Sequence, residues 1–289
     1  MLEFRKISIE DRERLLPLLR EKDRGCEYTF SNIYLYRNFY DTNVAYHKDS
    51  AVVMFGRTGA YLMPLGKDDL TQTVEQLPAG PDGTRRFVCI TKDDTVALTD
   101  AFGSRVVSVT AQVDGEYVYR SSDLADLPGK KYHSKRNHCS RFERLYPDWS
   151  FEMIGPENIS EAAAMNAAWY AGMEGSEDDL RADSASSAGS LCQFEKLGLT
   201  GALLRVDGKV IAWCCGEEIA QGSFCTHVEK AEREFDGAYS VINREFAKVL
   251  RDRYEYINRE DDAGDEGLRR TKMSYEPVYI LEKNTVIIR

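Results

Sequence analysis

The chain has 289 residues, of which 43% are hydrophobic and 30% are charged, and its formal net charge is −10. This composition is typical of a folded globular protein, and the length suits two domains of about 100 to 200 residues each. The acidic balance argues against a protein that binds nucleic acid over its whole surface. No stretch approaches 18 apolar residues and the first segment is amphipathic, so we expect no transmembrane segment and a cytoplasmic protein.

The first part of the chain, residues 1–128, alternates helical and extended patterns and is interpreted as one domain. Ser8 is the predicted cap of its first helix. Helices are predicted at 7–22, 28–39, 67–77 and 93–102, and strands at 44–47, 51–55, 61–63, 87–90 and 106–110.

A basic helix is predicted next, within residues 129–148, and Pro147 ends it. Phe142 and Leu145 give the helix an apolar side. Its charge leaves two interpretations open, a solvated connecting helix or a contact for a polyanion such as tRNA or a phospholipid headgroup. The cations, opposed only by Glu143, are Lys130, Lys131, Lys135, Arg136, Arg141 and Arg144.

The remaining residues, 149–289, are interpreted as a second domain that carries the active site. Helices are predicted at 158–173, 178–197 and 238–253, and strands at 151–154, 200–206, 209–218, 223–230, 254–258, 278–281 and 285–288. Trp169, Tyr170 and Met173 follow helical spacing and are interpreted as packing residues. Asp207 and Gly208 form a two-residue hairpin turn between the second and third of these strands.

The most polar part of the second domain directly follows the strand predicted at 254–258. We call residues 259–265, with sequence REDDAGD, the acidic loop. Ligands of α/β proteins commonly lie beyond the carboxyl end of a strand, and crowded carboxylates raise one another's pKa unless a cation intervenes. Helix capping and solvated charge are the structural alternative. The spacing of the acidic residues does not match a calcium-binding loop.

Few cofactor signals are present. The seven cysteines include no CxxC pair, and neither a phosphate-binding loop nor a dinucleotide fingerprint occurs. We therefore predict no metal site and no tightly bound cofactor. Cys225 and His227 lie on the same face of a predicted strand, which allows a cysteine nucleophile, but no third orienting group is apparent and a hydrogen-bonded core histidine is favoured.

Three segments together carry a family resemblance: GKKYHSKRNHCSRFERLYPDW (129–149), EREFDGAYSVINREFA (232–247) and INREDDAGDEGLRRTKMSYEP (257–277). The chain resembles the C-terminal catalytic domain of phosphatidylglycerol lysyltransferases and the stand-alone bacterial proteins related to it. The resemblance implies an α/β (α+β) fold of tandem acyl-CoA N-acyltransferase (GNAT-like) domains, with mixed central sheets flanked by helices. It also implies kinship with Fem-type enzymes, which transfer amino acids from aminoacyl-tRNA.

The resemblance further implies an acyl or aminoacyl transferase with particular site residues. The implied catalytic residues are Asp262, Glu260, Asp261 and Lys272. The implied substrate-binding residues are Asn258, Arg269, Gly237, Asn243, Lys131, Lys135 and Arg136, the last three as part of a possible tRNA contact along 130–144. The acceptor would be a small molecule, a peptide or a lipid headgroup. Replacing Asp262 or Lys272 with Ala should abolish transfer and leave the melting temperature nearly unchanged.

Two donors are considered, aminoacyl-tRNA and acyl-CoA. Acetyl-CoA enzymes of this fold carry a short glycine-rich motif before a long helix, where bare N–H groups hold pyrophosphate. Here Arg233 to Gly237 is one residue too long for that motif, and Glu234 and Asp236 would repel phosphate. Aminoacyl-tRNA is therefore favoured. The alternatives are an acetyl-CoA-dependent N-acetyltransferase, a non-catalytic ligand-binding module and a nucleic-acid-associated protein.

Overall fold

A computed structural model describes residues 1–113, 115–171 and 177–289, except for the side chains of 177–179. The chain divides into two units. The first comprises residues 1–116 and 281–289, and the second comprises residues 117–280.

The elements of both units are numbered in chain order. The helices are α1 (Arg12–Leu19), α2 (Phe30–Leu35), α3 (Arg37–Tyr40), α4 (Leu70–Glu75), α5 (Lys92–Phe102), α6 (Ser121–Asp126), α7 (His133–Leu145), α8 (Ile159–Ala171), α9 (Glu177–Cys192), α10 (Phe194–Leu197), α11 (Ala238–Leu250) and α12 (Glu266–Met273). The strands are β1 (Arg5–Lys6), β2 (Thr42–His47), β3 (Ser50–Phe55), β4 (Ala60–Tyr61), β5 (Arg85–Thr91), β6 (Val106–Ala111), β7 (Glu116–Arg120), β8 (Trp149–Met153), β9 (Thr200–Val206), β10 (Lys209–Ala220), β11 (Ser223–Ala231), β12 (Tyr256–Asn258), β13 (Tyr279–Leu281) and β14 (Lys283–Ile288).

The first unit is built on a mixed sheet in the order β1-β2-β3-β4-β5-β14-β6. The strands β4 and β5 pair in parallel, and β14 pairs antiparallel with both β5 and β6. Val53, Leu62, Phe87 and Val286 are fully buried and belong to its core. The predicted cap Ser8 lies before a 3-10 turn, Ile9–Asp11, that leads into α1, and its backbone N–H donates to the Asp11 carboxylate at 2.8 Å, whereas the residue before α1 itself is Asp11.

A buried ion cluster stabilises the first unit. The Lys283 ammonium donates to Glu116 and Glu27, and the backbone N–H of Cys26 donates to Glu116 at 3.0 Å. Lys283 is 2% exposed and Glu116 is fully buried. Burial alone would lower the pKa of Lys283, but Glu27, Cys26 and Glu116 hold it well above its usual value, so the ammonium stays charged.

The second unit is built on a mixed sheet in the order β13-β7-β12-β11-β10-β9-β8. The strands β11 and β12 pair in parallel and are joined by α11, which forms a βαβ crossover. The inward side of α11, with Val241, Ile242, Phe246 and Leu250, is at most 3% exposed and packs in the main core. Burying each of these side chains contributes roughly 1.5 to 3 kcal/mol.

The two units do not follow the predicted boundaries 1–128, 129–148 and 149–289. The basic helix α7 belongs to the second unit, where Cys139 and Phe142 are buried in its core. The strand β14 belongs to the first unit, because its backbone pairs with β5 and β6. The predicted α/β class, with a mixed central sheet and helices in each unit, is confirmed.

Several local predictions differ in extent. The helix predicted at 28–39 is divided into α2 and α3 at Tyr36. The helix predicted at 158–173 is α8, but Met173 lies outside the described residues. The strand β7 and the helix α6 were not predicted. Within the described ranges, no helix combines the length and apolar character that crossing a bilayer requires.

Candidate active site

The parallel pairing of β11 and β12 ends at the pair Cys225 and Asn258. Beyond it, β11 continues along β10 to Ala231, whereas β12 gives way to the acidic loop. The carboxyl ends of parallel strands beside a crossover helix are a common location for ligands. The side chains at the point where these two strands separate are therefore candidates for the active site of the second unit.

His227 lies at this point and contacts two carboxylates and a thiol. Its Nδ1 is 2.8 Å from Glu260 Oε1 and 3.6 Å from Cys225 Sγ, while its Nε2 is 3.3 Å from Glu217 Oε1. We call these four side chains the His227 cluster. Glu217 is 1% exposed, the His227 side chain 6% and the Glu260 side chain 26%, so Glu260 is the member that solvent reaches most easily.

Strand geometry positions this cluster. The register between β10 and β11 shifts at Cys215 and Gly216, and His227 is the extra residue of the resulting β-bulge. Bulges commonly redirect a side chain beside a functional site. Gly216 is required here, because a Cβ at this position would lie 1.8 Å from the Cys225 carbonyl oxygen.

Glu260 is directed at His227 by a left-handed backbone conformation. Its φ is +58°, a region that residues other than glycine rarely adopt. Two contacts hold it there, since its N–H donates to Asn258 Oδ1 at 2.8 Å and its carbonyl accepts from the N–H of Tyr117 at 3.1 Å. Such conformations are concentrated at functional sites. Asn258, predicted to bind substrate, is buried and instead shapes the loop that carries Glu260.

The charge of the His227 cluster follows from its packing. Burial alone would lower the pKa of His227, but Cys225, Glu217 and Glu260 raise it well above the usual value. The imidazole thus lies between two carboxylates, one at each ring nitrogen. Carboxylates at this point suit a ligand group that is cationic or donates hydrogen bonds.

Asp262 anchors the acidic loop from inside. Its carboxylate accepts from Tyr117 Oη at 2.6 Å, from Arg269 Nε at 2.8 Å and from the N–H of Gly264 at 3.0 Å. The side chain is 4% exposed. Arg269 supplies the cation that relieves carboxylate crowding and, with Tyr117 and Gly264, lowers the pKa of Asp262 despite burial. This carboxylate holds the loop rather than accepting protons.

Lys272 anchors the same loop from the following helix. Its ammonium donates to the carbonyl oxygens of Arg259, at 2.6 Å, and of Asp261. Burial and the neighbouring Arg259 lower its pKa. Because Lys272 and Asp262 are both buried and bonded, Ala at either position should destabilise the protein, contrary to the prediction from the sequence that the melting temperature would hardly change.

We expect Asp262→Asn to lower the free energy of unfolding by about 1 to 3 kcal/mol at neutral pH. The folded pKa of Asp262 is depressed, so its contribution is present above the unfolded value of about 3.9 and is lost as the pH falls through the folded pKa. Urea unfolding of the wild-type protein and of Asp262→Asn, from pH 7 into the acid range, measures the difference between their free energies of unfolding. This difference should become smaller in acid. The exposed Asp148→Asn is the control, and a gap that is independent of pH would contradict the assignment.

Arg259, at the start of the acidic loop, and Lys135 on α7 form a cationic group that was not predicted. The Arg259 side chain is 9% exposed, pairs with Glu229 at 2.7 Å and lies over the Tyr275 ring, 4.8 Å from its centroid. Lys135 lies over the same ring at 3.9 Å, and burial followed by Arg259 lowers its pKa to about 8. Arg259 Nη1 is buried and makes no hydrogen bond among the described residues. These cations suit an anionic part of a ligand.

Other predicted binding residues have structural contacts. Asn243 is buried and donates to Glu229 at 3.1 Å. Arg136 donates to the carbonyls of Leu127 and Gly129, and Lys131 lies 3.6 Å from the Asp123 carboxylate. The basic helix therefore presents less unpaired charge than its sequence indicates.

Gly237 begins α11 with a φ of +94°. A Cβ there would lie 2.6 Å from the carbonyl oxygen of His138 on α7. This glycine therefore permits close packing of two helices. The acidic Asp236 beside it pairs with Arg141 at 2.9 Å.

Three residues that form the site were not assigned to it from the sequence. Glu217 belongs to a strand pattern, Arg259 was counted in the acidic loop without a role of its own, and Tyr117 lies on the unpredicted β7. A sequence signal existed only for the pair Cys225 and His227, whose spacing of two residues places them on one strand face. The third orienting group that the sequence lacked is supplied by Glu260 and Glu217.

Comparison with known proteins identifies the family. A family model described as "Phosphatidylglycerol lysyltransferase, C-terminal" matches residues 20–286. The chain belongs to this family. A conserved protein of unknown function from Bacteroides thetaiotaomicron is 36% identical, with a TM-score of 0.91 and coverage of 100% of both chains. No curated protein matches the chain.

More distant solved structures share the fold. The C-terminal domain of a putative lysylphosphatidylglycerol synthetase from Agrobacterium fabrum is 16% identical, with a TM-score of 0.68, and the match covers 96% of this chain and 91% of that one. L-PGS from Bacillus licheniformis is 17% identical, with a TM-score of 0.64 and the same coverage. FemX is 8% identical, with a TM-score of 0.58, and the match covers 98% of this chain and 96% of FemX. The chain therefore has the fold of the phosphatidylglycerol lysyltransferase C-terminal domain family.

Proposed function

We propose that this protein transfers an aminoacyl group from a carrier to an amine or hydroxyl acceptor, with aminoacyl-tRNA favoured over acyl-CoA as the donor. The observation that carries the proposal is the His227 cluster at the point where β11 and β12 separate. Membership of the lysyltransferase family supports the reaction class.

The proposed reaction needs a neutral nucleophile. Glu260 accepts a proton from the acceptor amine or hydroxyl, whose lone pair then attacks the carbonyl carbon of the aminoacyl ester. The tetrahedral intermediate then breaks the ester C–O bond, and the protonated Glu260 returns its proton to the leaving oxygen of the carrier hydroxyl. A positioned general base of this kind contributes typically 10²- to 10⁴-fold to a rate.

Glu260 suits the role of base for two reasons. It is the most exposed carboxylate of the His227 cluster, and its backbone and side chain are both fixed by hydrogen bonds. The carboxylates of the cluster also suit the ammonium group of an aminoacyl donor or of an amine acceptor. Glu217, which is buried behind His227, serves as a positioning residue for the imidazole.

Arg259 and Lys135 suit the anionic part of the donor or acceptor. Both lie over the Tyr275 ring, and the buried Arg259 Nη1 is available as a donor. Phosphate groups of a tRNA end or of a lipid headgroup carry matching charge. Coenzyme A is less favoured, because Gly237 at the start of α11 is packed against His138 and Asp236 lies beside it.

The test is a transfer screen. Purified protein is incubated with charged tRNAs or with acyl-CoAs and a panel of amines, peptides and anionic lipid headgroups, and products are identified by mass spectrometry. We expect an aminoacyl product that depends on charged tRNA. Products from acyl-CoA alone would reverse the choice of donor, and ligand-induced stabilisation without any product would indicate a binding module.

A further inference from the structure

In the second unit, three side chains place close together three atoms of the types that commonly ligate transition metals. They are the Sγ of Cys225, the Nδ1 of His227 and an oxygen of Glu260. We propose that these residues form a binding site for a divalent transition-metal ion of the zinc class, although no metal motif is apparent in the sequence. Thiolate, imidazole and carboxylate are the ligands that zinc commonly takes.

The spacing of these atoms fits such an ion. Sγ and Nδ1 are 3.6 Å apart, Sγ and Glu260 Oε1 are 3.8 Å apart, and Nδ1 and Oε1 are 2.8 Å apart. Tetrahedral zinc, with bonds of about 2.3 Å to sulfur and about 2.0 to 2.2 Å to nitrogen and oxygen, separates its ligand atoms by about 3.4 to 3.6 Å. On the same bond lengths, the distance between Nδ1 and Oε1 must lengthen by about 0.6 Å, and the distance between Sγ and Oε1 must shorten by about 0.2 Å.

The surroundings of His227 also match those of a metal ligand. While Nδ1 faces the thiol and Glu260, Nε2 lies 3.3 Å from the buried carboxylate of Glu217. Histidine ligands usually donate their second N–H to a carboxylate or carbonyl, which fixes the ring and raises its basicity. Glu217 is thus placed as a positioning residue for the metal site.

Two of the three proposed ligands lie on the strand β11, and the third, Glu260, lies on the partly exposed acidic loop. Cys225 and His227 belong to β11, with the bulge at His227, and Cys225 is fully buried. The Glu260 side chain is 26% exposed and is held by its left-handed backbone. A metal would enter from the side of Glu260, and three protein ligands leave a fourth position for water or substrate.

A second group of similar residues in the first unit shows the contrast. Cys26, Glu27 and Glu116 also lie close together, but the Lys283 ammonium donates to both carboxylates. A built-in cation therefore already compensates that group. In the His227 cluster the group between the carboxylates is an imidazole, which can itself ligate a metal once it is neutral, whereas an ammonium group cannot.

Binding of Zn²⁺ would replace protons. A thiolate and a neutral imidazole nitrogen are the forms that ligate a metal, so any proton on Cys225 Sγ or His227 Nδ1 is released when the ion binds. No oxidant or reductant is needed. Glu260 has a role in both proposals, as the base of the metal-free protein in transfer and as a ligand when an ion is bound. Metal binding is measured without donor or acceptor, so the two proposals can fail separately.

The test uses the full chain, freed of metal with a chelator and titrated with Co²⁺ as a spectroscopic probe for zinc. We expect one Co²⁺ per chain, with a thiolate-to-metal charge-transfer band, and displacement by one equivalent of Zn²⁺. Cys225→Ser should abolish the band. Glu217→Gln should weaken binding by roughly 10- to 100-fold, the effect usual for a residue that orients a ligand.

The exposed Cys192 provides the matched control. Cys192→Ser should keep the band and the stoichiometry. Absence of stoichiometric binding, a band that persists in Cys225→Ser or a band lost in Cys192→Ser would overturn the proposal. If Cys225→Ser does not fold by circular dichroism, Glu260→Gln on the partly exposed loop decides, and unchanged affinity in that variant would equally refute the site.

Discussion

Replacing Glu260 with Gln should reduce aminoacyl transfer by roughly 10²- to 10⁴-fold, because the amide cannot accept the acceptor's proton. Gln keeps the shape of the side chain and leaves one oxygen near His227 Nδ1. In the wild-type protein this nitrogen lies 2.8 Å from Glu260 Oε1. The loop around it remains held by Asp262 and Lys272. The melting temperature should therefore change little, and the loss should lie in the rate of the chemical step. Single-turnover transfer measured across a pH range tests this expectation.

Glu266→Gln is the matched control for this prediction. Glu266 is an exposed residue at the start of α12, close in sequence to Glu260. It undergoes the same chemical change, and its variant should transfer at the wild-type rate. Full turnover in Glu260→Gln would remove Glu260 from the mechanism. Equal losses in both variants would point to an electrostatic effect of net charge.

Replacing Lys283 with Met should lower the free energy of unfolding by about 3 to 5 kcal/mol, as expected when one partner of a buried ion pair is removed. The substitution leaves Glu116, which is fully buried, without its ammonium partner. Glu116 would then have to take up a proton or draw in water, and both cost free energy. Urea unfolding of the two proteins gives the difference directly.

Two controls separate charge from side-chain shape in this prediction. The exposed Lys92→Met should have little effect, because Lys92 lies on the surface at the start of α5. Adding Glu116→Met to Lys283→Met should recover part of the stability, since apolar replacement of a whole buried pair is often neutral or better. Wild-type stability in Lys283→Met would show that the cluster contributes nothing to folding.

The part of the site predicted from sequence is the part that is local in the chain. The acidic loop directly follows the strand predicted at 254–258, so hydrophobic pattern and the run of charged residues suffice to locate it. The roles within that loop were less accessible. Asp262 and Lys272 bond to Tyr117 and to backbone carbonyls, which assigns them to holding the loop.

Sequence by itself determined the class of the protein, most of its helices and strands, and the segment in which the acidic residues are concentrated, because these depend on periodicity and short-range spacing. Tertiary structure alone decided that β14 belongs to the first unit and that β7 supplies Tyr117 to the loop. It also decided that Glu217, Cys225 and Glu260 meet at His227. The reason is that strand pairing and a β-bulge join residues far apart in the chain, and no local pattern encodes which partners they will have.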